Sequence, residues 1–181
     1  MIDRPVSQVC QYGRTGRADR IMSCCKCNQA ESGAMPDDSK PEATADEFDA
    51  AAAAALLADV TAPWVRDLGL EVTDIGRVQS HFFLPFSDQL TRDAGMICGQ
   101  AIVAAADTAM IAAVTAAIGE YAPITTVDIA SRFLRPLGAE GGDINVEILK
   151  AGRRLVVGRI SITDRATGKL AAELNSTYAR L

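Results

Sequence analysis

The chain has 181 residues, a formal net charge of −5 and 49% hydrophobic residues. This length fits one ordinary domain with a tail, and the hydrophobic content is sufficient for a buried core. The negative charge argues against a nucleic-acid partner. The five cysteines are odd in number and irregularly spaced, which argues against a framework of disulfides.

Residues 1–45 are predicted to be a disordered extension, because they are rich in Arg, Ser, Asp, Gly and Pro and poor in aliphatic residues. The cluster "CCKC" at residues 24–27 lacks the paired spacing of structural zinc sites, so no metal is expected there. No cofactor is expected either. No apolar run of secretory length lies near the N-terminus, which favours a cytoplasmic protein. Met35 offers a second start of translation, and the sequence does not decide between the two.

Residues 46–181 are predicted to form one domain. Its first element is a helix from Asp46 to about Asp67, since "FDAAAAALLADV" has strong helix propensity. A β-hairpin follows, with its turn at Gly76 between the two short apolar runs of "LEVTDIGRVQSHFFLPF". Residues 87–97 are expected to form a polar loop.

The next stretch, "GQAIVAAADTAMIAAVTAAIG" at residues 99–119, is predicted to be a long helix made almost entirely of small and apolar residues. It is about long enough to cross a bilayer, but Asp107 near its middle would be costly there. No Lys/Arg cluster flanks it, so no membrane partner is expected. A helix that is apolar all round must be buried in the protein.

After this helix the hydrophobic period changes from 3.6 to 2. The stretches "TVDIASRFLRP", "DINVEILK", "LVVGRISITD" and "LAAELNSTY" predict a four-stranded antiparallel meander. Alternation in the first stretch places Val127, Ile129 and Phe133 on one face and Thr126 on the other. Because only a strongly curved sheet can surround a helix, six antiparallel strands wrapped around a central helix are expected. This is an α+β architecture, the hotdog fold.

Residues 63–180 resemble hotdog acyl-CoA thioesterases of the phenylacetate-degradation type, on "GMICGQAIVAAADTAMIAA", "TTVDIASRFLRP" and "ILKAGRRLVVGRISITD". In that family the helix begins with His-Gly-Gly, and an Asp follows nine residues after the His. Here Cys98-Gly99-Gln100 stands in place of His-Gly-Gly, Asp107 is retained, and Arg92 stands where an Asn is common. The resemblance implies hydrolysis of an acyl-CoA thioester to a carboxylic acid and free CoA.

The resemblance also implies roles for individual residues. Asp107 would act as general base or as nucleophile, and Thr126 would position the attacking water. The backbone at Gly99 would polarise the thioester carbonyl, which fits the positive end of a helix dipole. Residues implied to contact the substrate, including the phosphates of CoA, are Cys98, Gln100, Arg135, Gly152 and Arg153.

Asp107 is surrounded in the helix by apolar residues, and no basic residue lies within a turn to pair with it. An unpaired carboxylate in such surroundings favours a functional role, although a solvated helix stripe is the alternative. Gly99 and Asp107 are eight residues apart, or about 12 Å along the helix. They cannot act on one carbonyl within one chain, so the site is expected to combine two chains of a homodimer or homotetramer.

Three alternatives accompany this interpretation. The protein could be a non-catalytic hotdog module that binds acyl-CoA, since the motif His is replaced by Cys98. Cys98 itself could be a nucleophile at a helix N-terminus, although a packing cysteine is the more common case. His81, the only histidine, is expected to be a strand residue, which argues against a hotdog dehydratase.

Overall fold

The computed structural model describes residues 48–92 and 94–181. The whole of the predicted N-terminal extension, residues 1–45, with Cys10 and the "CCKC" cluster, lies outside the described residues. The predictions made for that segment therefore remain predictions.

The domain begins with two helices where one was predicted. Helix α1 spans Ala50–Val60, and the side chain of Asp49 caps it by accepting a hydrogen bond of 2.8 Å from the Ala52 amide. Helix α2 is a single turn, Pro63–Arg66. The chain is extended at the residues between the two helices, because a proline fits only at the start of a helix and not within it.

Eight strands and one long helix follow. The strands are β1 (Glu71–Asp74), β2 (Gln79–Leu84), β3 (Thr91–Arg92), β4 (Met96–Ile97), β5 (Ile124–Phe133), β6 (Gly142–Ala151), β7 (Leu155–Asp164) and β8 (Lys169–Arg180). Helix α3 spans Gly99–Ile118. The loop predicted at 87–97 contains a 3₁₀ turn at Asp88–Leu90 and the small β3–β4 hairpin.

The main sheet has six antiparallel strands in the order β1-β2-β6-β7-β8-β5. The predicted hairpin of β1 and β2 is confirmed. The predicted four-stranded meander is wrong in one respect: β6, β7 and β8 are consecutive neighbours, but β5 pairs with β8 at the far edge and not with β6. A period of 2 identifies a strand without identifying its partner, so alternation alone could not reveal this crossover.

Helix α3 lies in the concave side of this sheet, which confirms the predicted hotdog architecture. The side chains of Met110 and Val114 are fully buried, as are Ile144, Ile160 and Leu174 of the sheet. The helix is long and apolar enough to cross a membrane, and 67% of its most apolar window is buried inside the fold. Its apolar surface is thus largely covered by the protein's own sheet.

A β-bulge changes the predicted faces of β5. Its register with β8 shifts between Thr126 and Asp128, which leaves Val127 as the extra residue, 59% exposed. Because a bulge inserts one unpaired residue, the alternation is reversed on one side of it. Thr126 therefore lies on the same side as Ile129 and Phe133, towards α3, and the prediction that it faces away from them is wrong.

Candidate active site

One stripe of α3 is left open by the sheet. Its residues Gln100, Val103, Ala104 and Asp107 recur at helical spacing and line a cavity of about 700 Å³. Asp107 is half-buried there. The helix is therefore not covered on all sides, and the carboxylate lies where the cover is missing.

The carboxylate of Asp107 has two hydroxyl partners. The Thr126 hydroxyl donates to Oδ1 at 3.0 Å, and the Tyr178 hydroxyl donates a short hydrogen bond to the same oxygen. The Tyr178 oxygen also lies 2.9 Å from the backbone carbonyl oxygen of Asp107. The expectation of an unpaired carboxylate is therefore wrong: β5 and β8 each supply a donor.

Tyr178 was not identified from the sequence. Its side chain is 2% exposed and is among the largest fully buried side chains of the core. Burial, and then the hydrogen bond to Asp107, raise the pKa of the Tyr178 phenol above its ordinary value of about 10. The phenol therefore stays protonated and remains a hydrogen-bond donor to Asp107 throughout the physiological range.

The arrangement leaves one carboxylate oxygen of Asp107 available. Both hydroxyls donate to Oδ1, and no hydrogen bond from the described residues reaches Oδ2. The cavity is lined by Trp64, Gly99, Gln100, Val103, Ala104, Asp107, Thr126, Ile129 and Phe133. Asp107 is the one ionisable side chain among these described residues, so the carboxylate faces largely apolar walls with an oxygen free to accept a proton.

Gly99 begins α3 at the other end of the same cavity. No side chain caps the helix at Cys98, and the first intrahelical bond runs from the Ile102 amide to the Cys98 carbonyl. The amides of the first turn thus lack intrahelical acceptors, as at any helix start. A Cβ at Gly99 would lie 3.2 Å from the ring of Phe133. Glycine therefore allows that ring to pack against the helix start.

The structure distributes the other predicted substrate contacts over several places. Gln100 lines the cavity of Asp107, and together with Cys98 it lines a neighbouring cavity of about 340 Å³. Arg135 lines a third cavity, of about 410 Å³, that includes Gly99. Its guanidinium donates to the Leu170 carbonyl at 2.9 Å.

Gly152 and Arg153 lie in the turn between β6 and β7, where the Gly152 amide donates to the Leu155 carbonyl at 2.9 Å. This turn adjoins the Arg180 end of β8, whereas the Arg135 amide bonds to Ala171 near the other end. Nine residues of strand separate these two points by about 30 Å. One chain therefore does not bring Arg135 and Arg153 to the same small group.

His81 lies on β2, beside the buried Ser80 and Phe82. Since neighbouring strand residues point to opposite faces, its exposed side chain lies on the outer face of the sheet, away from Asp107. Within residues 48–92 and 94–181, no three His, Cys, Asp or Glu side chains are grouped closely enough to hold a metal ion.

The profile of the family described as "Thioesterase superfamily" matches residues 94–171, a range that includes Gly99, Asp107 and Thr126. No curated protein sequence matches the chain.

Among solved structures, the chain is similar to a thioesterase family protein from Silicibacter pomeroyi, at 21% identity over 71% of this chain and 95% of that one, with a TM-score of 0.64. It is also similar to the PaaI protein of the E. coli phenylacetic acid degradation operon, at 18% identity over 71% and 90% with a TM-score of 0.60. Zebra fish thioesterase superfamily member 2 is similar at 23% identity over 70% of this chain and 91% of that one, with a TM-score of 0.60. At these identities the similarity shows a shared fold.

Proposed function

We propose that the protein is an acyl-CoA thioesterase that hydrolyses its substrate to a carboxylic acid and free CoA, with Asp107 as general base or nucleophile. The observation that carries this proposal is the Asp107 carboxylate, held by two hydroxyls at the wall of an apolar cavity. The match of residues 94–171 to the thioesterase superfamily supports it, because that range contains this carboxylate.

As a general base, Asp107 would take a proton from a water molecule through its free oxygen, Oδ2. The water oxygen attacks the thioester carbonyl carbon, and the carbonyl oxygen becomes an oxyanion. The backbone amides at Gly99 would stabilise this charge, as such donors do in oxyanion holes. The C–S bond then breaks, the acid is released, and the CoA thiolate recovers the proton from Asp107.

As a nucleophile, Asp107 would instead attack the carbonyl carbon directly through Oδ2. The C–S bond breaks, CoA leaves, and an acyl-aspartyl anhydride remains. Water then hydrolyses the anhydride to release the acid and restore the carboxylate. In both routes Thr126 and Tyr178 hold Oδ1 and so fix the direction of Oδ2.

The proposed site needs two chains. Gly99 and Asp107 lie about 12 Å apart along one helix, so one carbonyl cannot meet both within a chain. The edge strand β5 favours an interface between copies, because Val127 and Phe133 on this strand and Leu134 just after it are large apolar residues that are about half exposed. We therefore propose a homodimer, or a homotetramer built from such dimers, with two composite sites per dimer.

A non-catalytic acyl-CoA-binding module is the second candidate. The observation that favours it is Cys98, which stands in place of the motif His and lines the smaller cavity with Trp64 and Leu68. In that case the Asp107 cavity would hold the acyl group without reaction.

Thiol release from short, long and aromatic acyl-CoAs distinguishes the two functions. We expect hydrolysis by the wild type, and a loss of about 100-fold or more in kcat in Asp107→Asn, as for removal of a general base. Asparagine retains the oxygen that accepts from Thr126 and Tyr178, so the fold should persist. Asp74→Asn, an exposed aspartate on β1 at the opposite edge of the sheet from β5, is the matched control and should retain full activity. An unchanged kcat in Asp107→Asn would exclude this mechanism, and tight binding without any thiol release would indicate the binding module.

A further inference from the structure

The cavity of about 410 Å³ beside Gly99 contains two arginines. Its lining residues are Arg92, Met96, Ile97, Gly99, Ile102, Phe133, Leu134, Arg135, Pro136 and Leu137. Most of these side chains are apolar, and no described lining residue is acidic. The cavity therefore combines a largely apolar interior with two positive charges.

Among the described residues, no acidic side chain neutralises the two guanidinium groups, since neither Arg92 nor Arg135 takes part in an ion pair there. Arg135 donates through one nitrogen to the Leu170 carbonyl, which holds the side chain, and its other N–H groups make no side-chain hydrogen bond among residues 48–92 and 94–181. Guanidinium groups match the geometry of a carboxylate and can bind it through paired hydrogen bonds.

This cavity adjoins the proposed reaction centre. It shares Gly99 and Phe133 with the cavity that contains Asp107. A thioester whose carbonyl lies at the Gly99 amides would therefore have the arginine cavity beside it, within reach of one of its two substituents. An apolar chain that ends in an anion complements such a lining.

We propose that this cavity selects acyl groups that carry a terminal carboxylate, so that the preferred substrates are CoA thioesters of short dicarboxylic acids. The proposal rests on the proposed function and specifies its substrate class. The carboxylate would be bound by Arg92 and Arg135, and the methylene chain would lie against Ile102 and Phe133. The phosphates of CoA do not fit this position, because the long pantetheine arm separates them from the thioester whereas the cavity begins at Gly99.

The kinetic test compares adipoyl-CoA with hexanoyl-CoA, which have equal carbon numbers and differ in the terminal carboxylate. We expect wild-type kcat/KM to favour adipoyl-CoA about tenfold, because the carboxylate is bound by charge-assisted hydrogen bonds that require both arginines in a partly exposed site. Arg92→Gln and Arg135→Gln should each remove most of this preference, because they lower adipoyl-CoA turnover more than hexanoyl-CoA turnover. Arg77→Gln, in the turn between β1 and β2, removes an exposed arginine elsewhere and should preserve the preference.

The arginines could bind either the terminal carboxylate of the acyl group or the phosphates of CoA. Thioesters of pantetheine distinguish the two, because they lack the nucleotide phosphates. The proposal predicts the same preference for the adipoyl over the hexanoyl compound in this series. The arginine variants could instead lower kcat/KM equally for both CoA thioesters and leave kcat/KM for both pantetheine thioesters unchanged. In that case the arginines bind the phosphates of CoA and the proposal is wrong. Equal turnover of the adipoyl and hexanoyl compounds by the wild type would also overturn it.

A binding measurement keeps this proposal separate from the hydrolase proposal. Trp64 is the single tryptophan of the chain and lines the Asp107 cavity, so its fluorescence can report occupancy. The probes are non-hydrolysable thioether analogues of adipoyl- and hexanoyl-pantetheine. About tenfold tighter binding of the adipoyl analogue, lost in Arg92→Gln, would support the anion site even if no thioester were hydrolysed. Equal affinities would refute it even in an active enzyme.

Discussion

At the scale of single residues, the central finding is that the carboxylate in the apolar helix has partners from distant parts of the chain. Tyr178 and Thr126 both donate to Oδ1 of Asp107, and such donors stabilise a half-buried carboxylate because a polar group removed from water is costly without hydrogen bonds. The same two bonds orient the free oxygen. The two hydrogen bonds therefore both stabilise the Asp107 carboxylate in its half-buried position and set its orientation.

The first prediction concerns the phenol of Tyr178. Tyr178→Phe removes the hydroxyl without changing the ring, so the carboxylate loses one of its two donors. We expect kcat to fall about tenfold with a smaller change in KM, because a misdirected carboxylate affects the reaction more than substrate binding. Tyr121→Phe, which changes a tyrosine that is 53% exposed, is the control and should have no effect. Equal kinetics in both variants would show that Tyr178 does not position Asp107.

Tyr178 also predicts how stability depends on pH. Its pKa is raised in the folded protein, so the folded state retains the phenol proton at pH values where the unfolded chain releases it. The contribution of the Tyr178 phenol to the free energy of unfolding is fully present below about pH 10, the ordinary pKa of tyrosine. It is lost as the pH rises above this value. Denaturant unfolding at a series of alkaline pH values should therefore show a steeper loss of stability in wild type than in Tyr178→Phe. Parallel curves would contradict this assignment.

The alternation of residues along β8 carries a signal for the position of Tyr178. In "LAAELNSTY" the residues Ala172, Leu174, Ser176 and Tyr178 alternate with polar or exposed positions, so they share the inner face of β8. This pattern predicts that the phenol faces the helix. It does not predict which helical residue it meets, because 71 residues separate Tyr178 from Asp107 and the register between them is a tertiary property.

At the scale of elements, the change of period from 3.6 to 2 predicts helix α3 and the strands β5 to β8, and the all-apolar helix predicts the curved sheet around it. The position of β5 beside β8 and the bulge at Val127 could not be predicted in this way. Both depend on pairing between strands, and the alternation of one strand carries no information about its partner. The bulge matters for the site, because it turns Thr126 towards Asp107.

The start of β6 gives a prediction at this scale. Gly141 has a φ of +76°, and a Cβ there would collide with the backbone carbonyl oxygen of Leu84. Gly141→Ala should therefore cost about 3 kcal/mol of unfolding free energy, from the left-handed conformation and the collision together. Gly168, in the turn between β7 and β8, has a φ of +65° but no atom within 4 Å of such a Cβ. Gly168→Ala should cost only about 1 kcal/mol, and equal losses in thermal unfolding would contradict this account.

At the scale of the whole molecule, the proposed site is incomplete in one chain. The helix start at Gly99 and the carboxylate of Asp107 lie at different positions along α3, and β5 presents exposed apolar side chains beside them. Two antiparallel copies of α3 would bring the helix start of one chain to the carboxylate of the other. Activity should therefore belong to the dimer and not to the monomer.

The most direct measurement of this claim uses mixed dimers of two inactive chains, Asp107→Asn and Gly99→Pro, the second of which removes a backbone donor. Both variants must first be shown to fold and dimerise, and they are then co-expressed with different tags so that the heterodimer can be isolated. One of its two sites combines an intact carboxylate with an intact helix start, and the other has neither. We predict that thiol release returns to about half the wild-type rate per dimer, whereas no recovery in verified heterodimers would contradict the two-chain site.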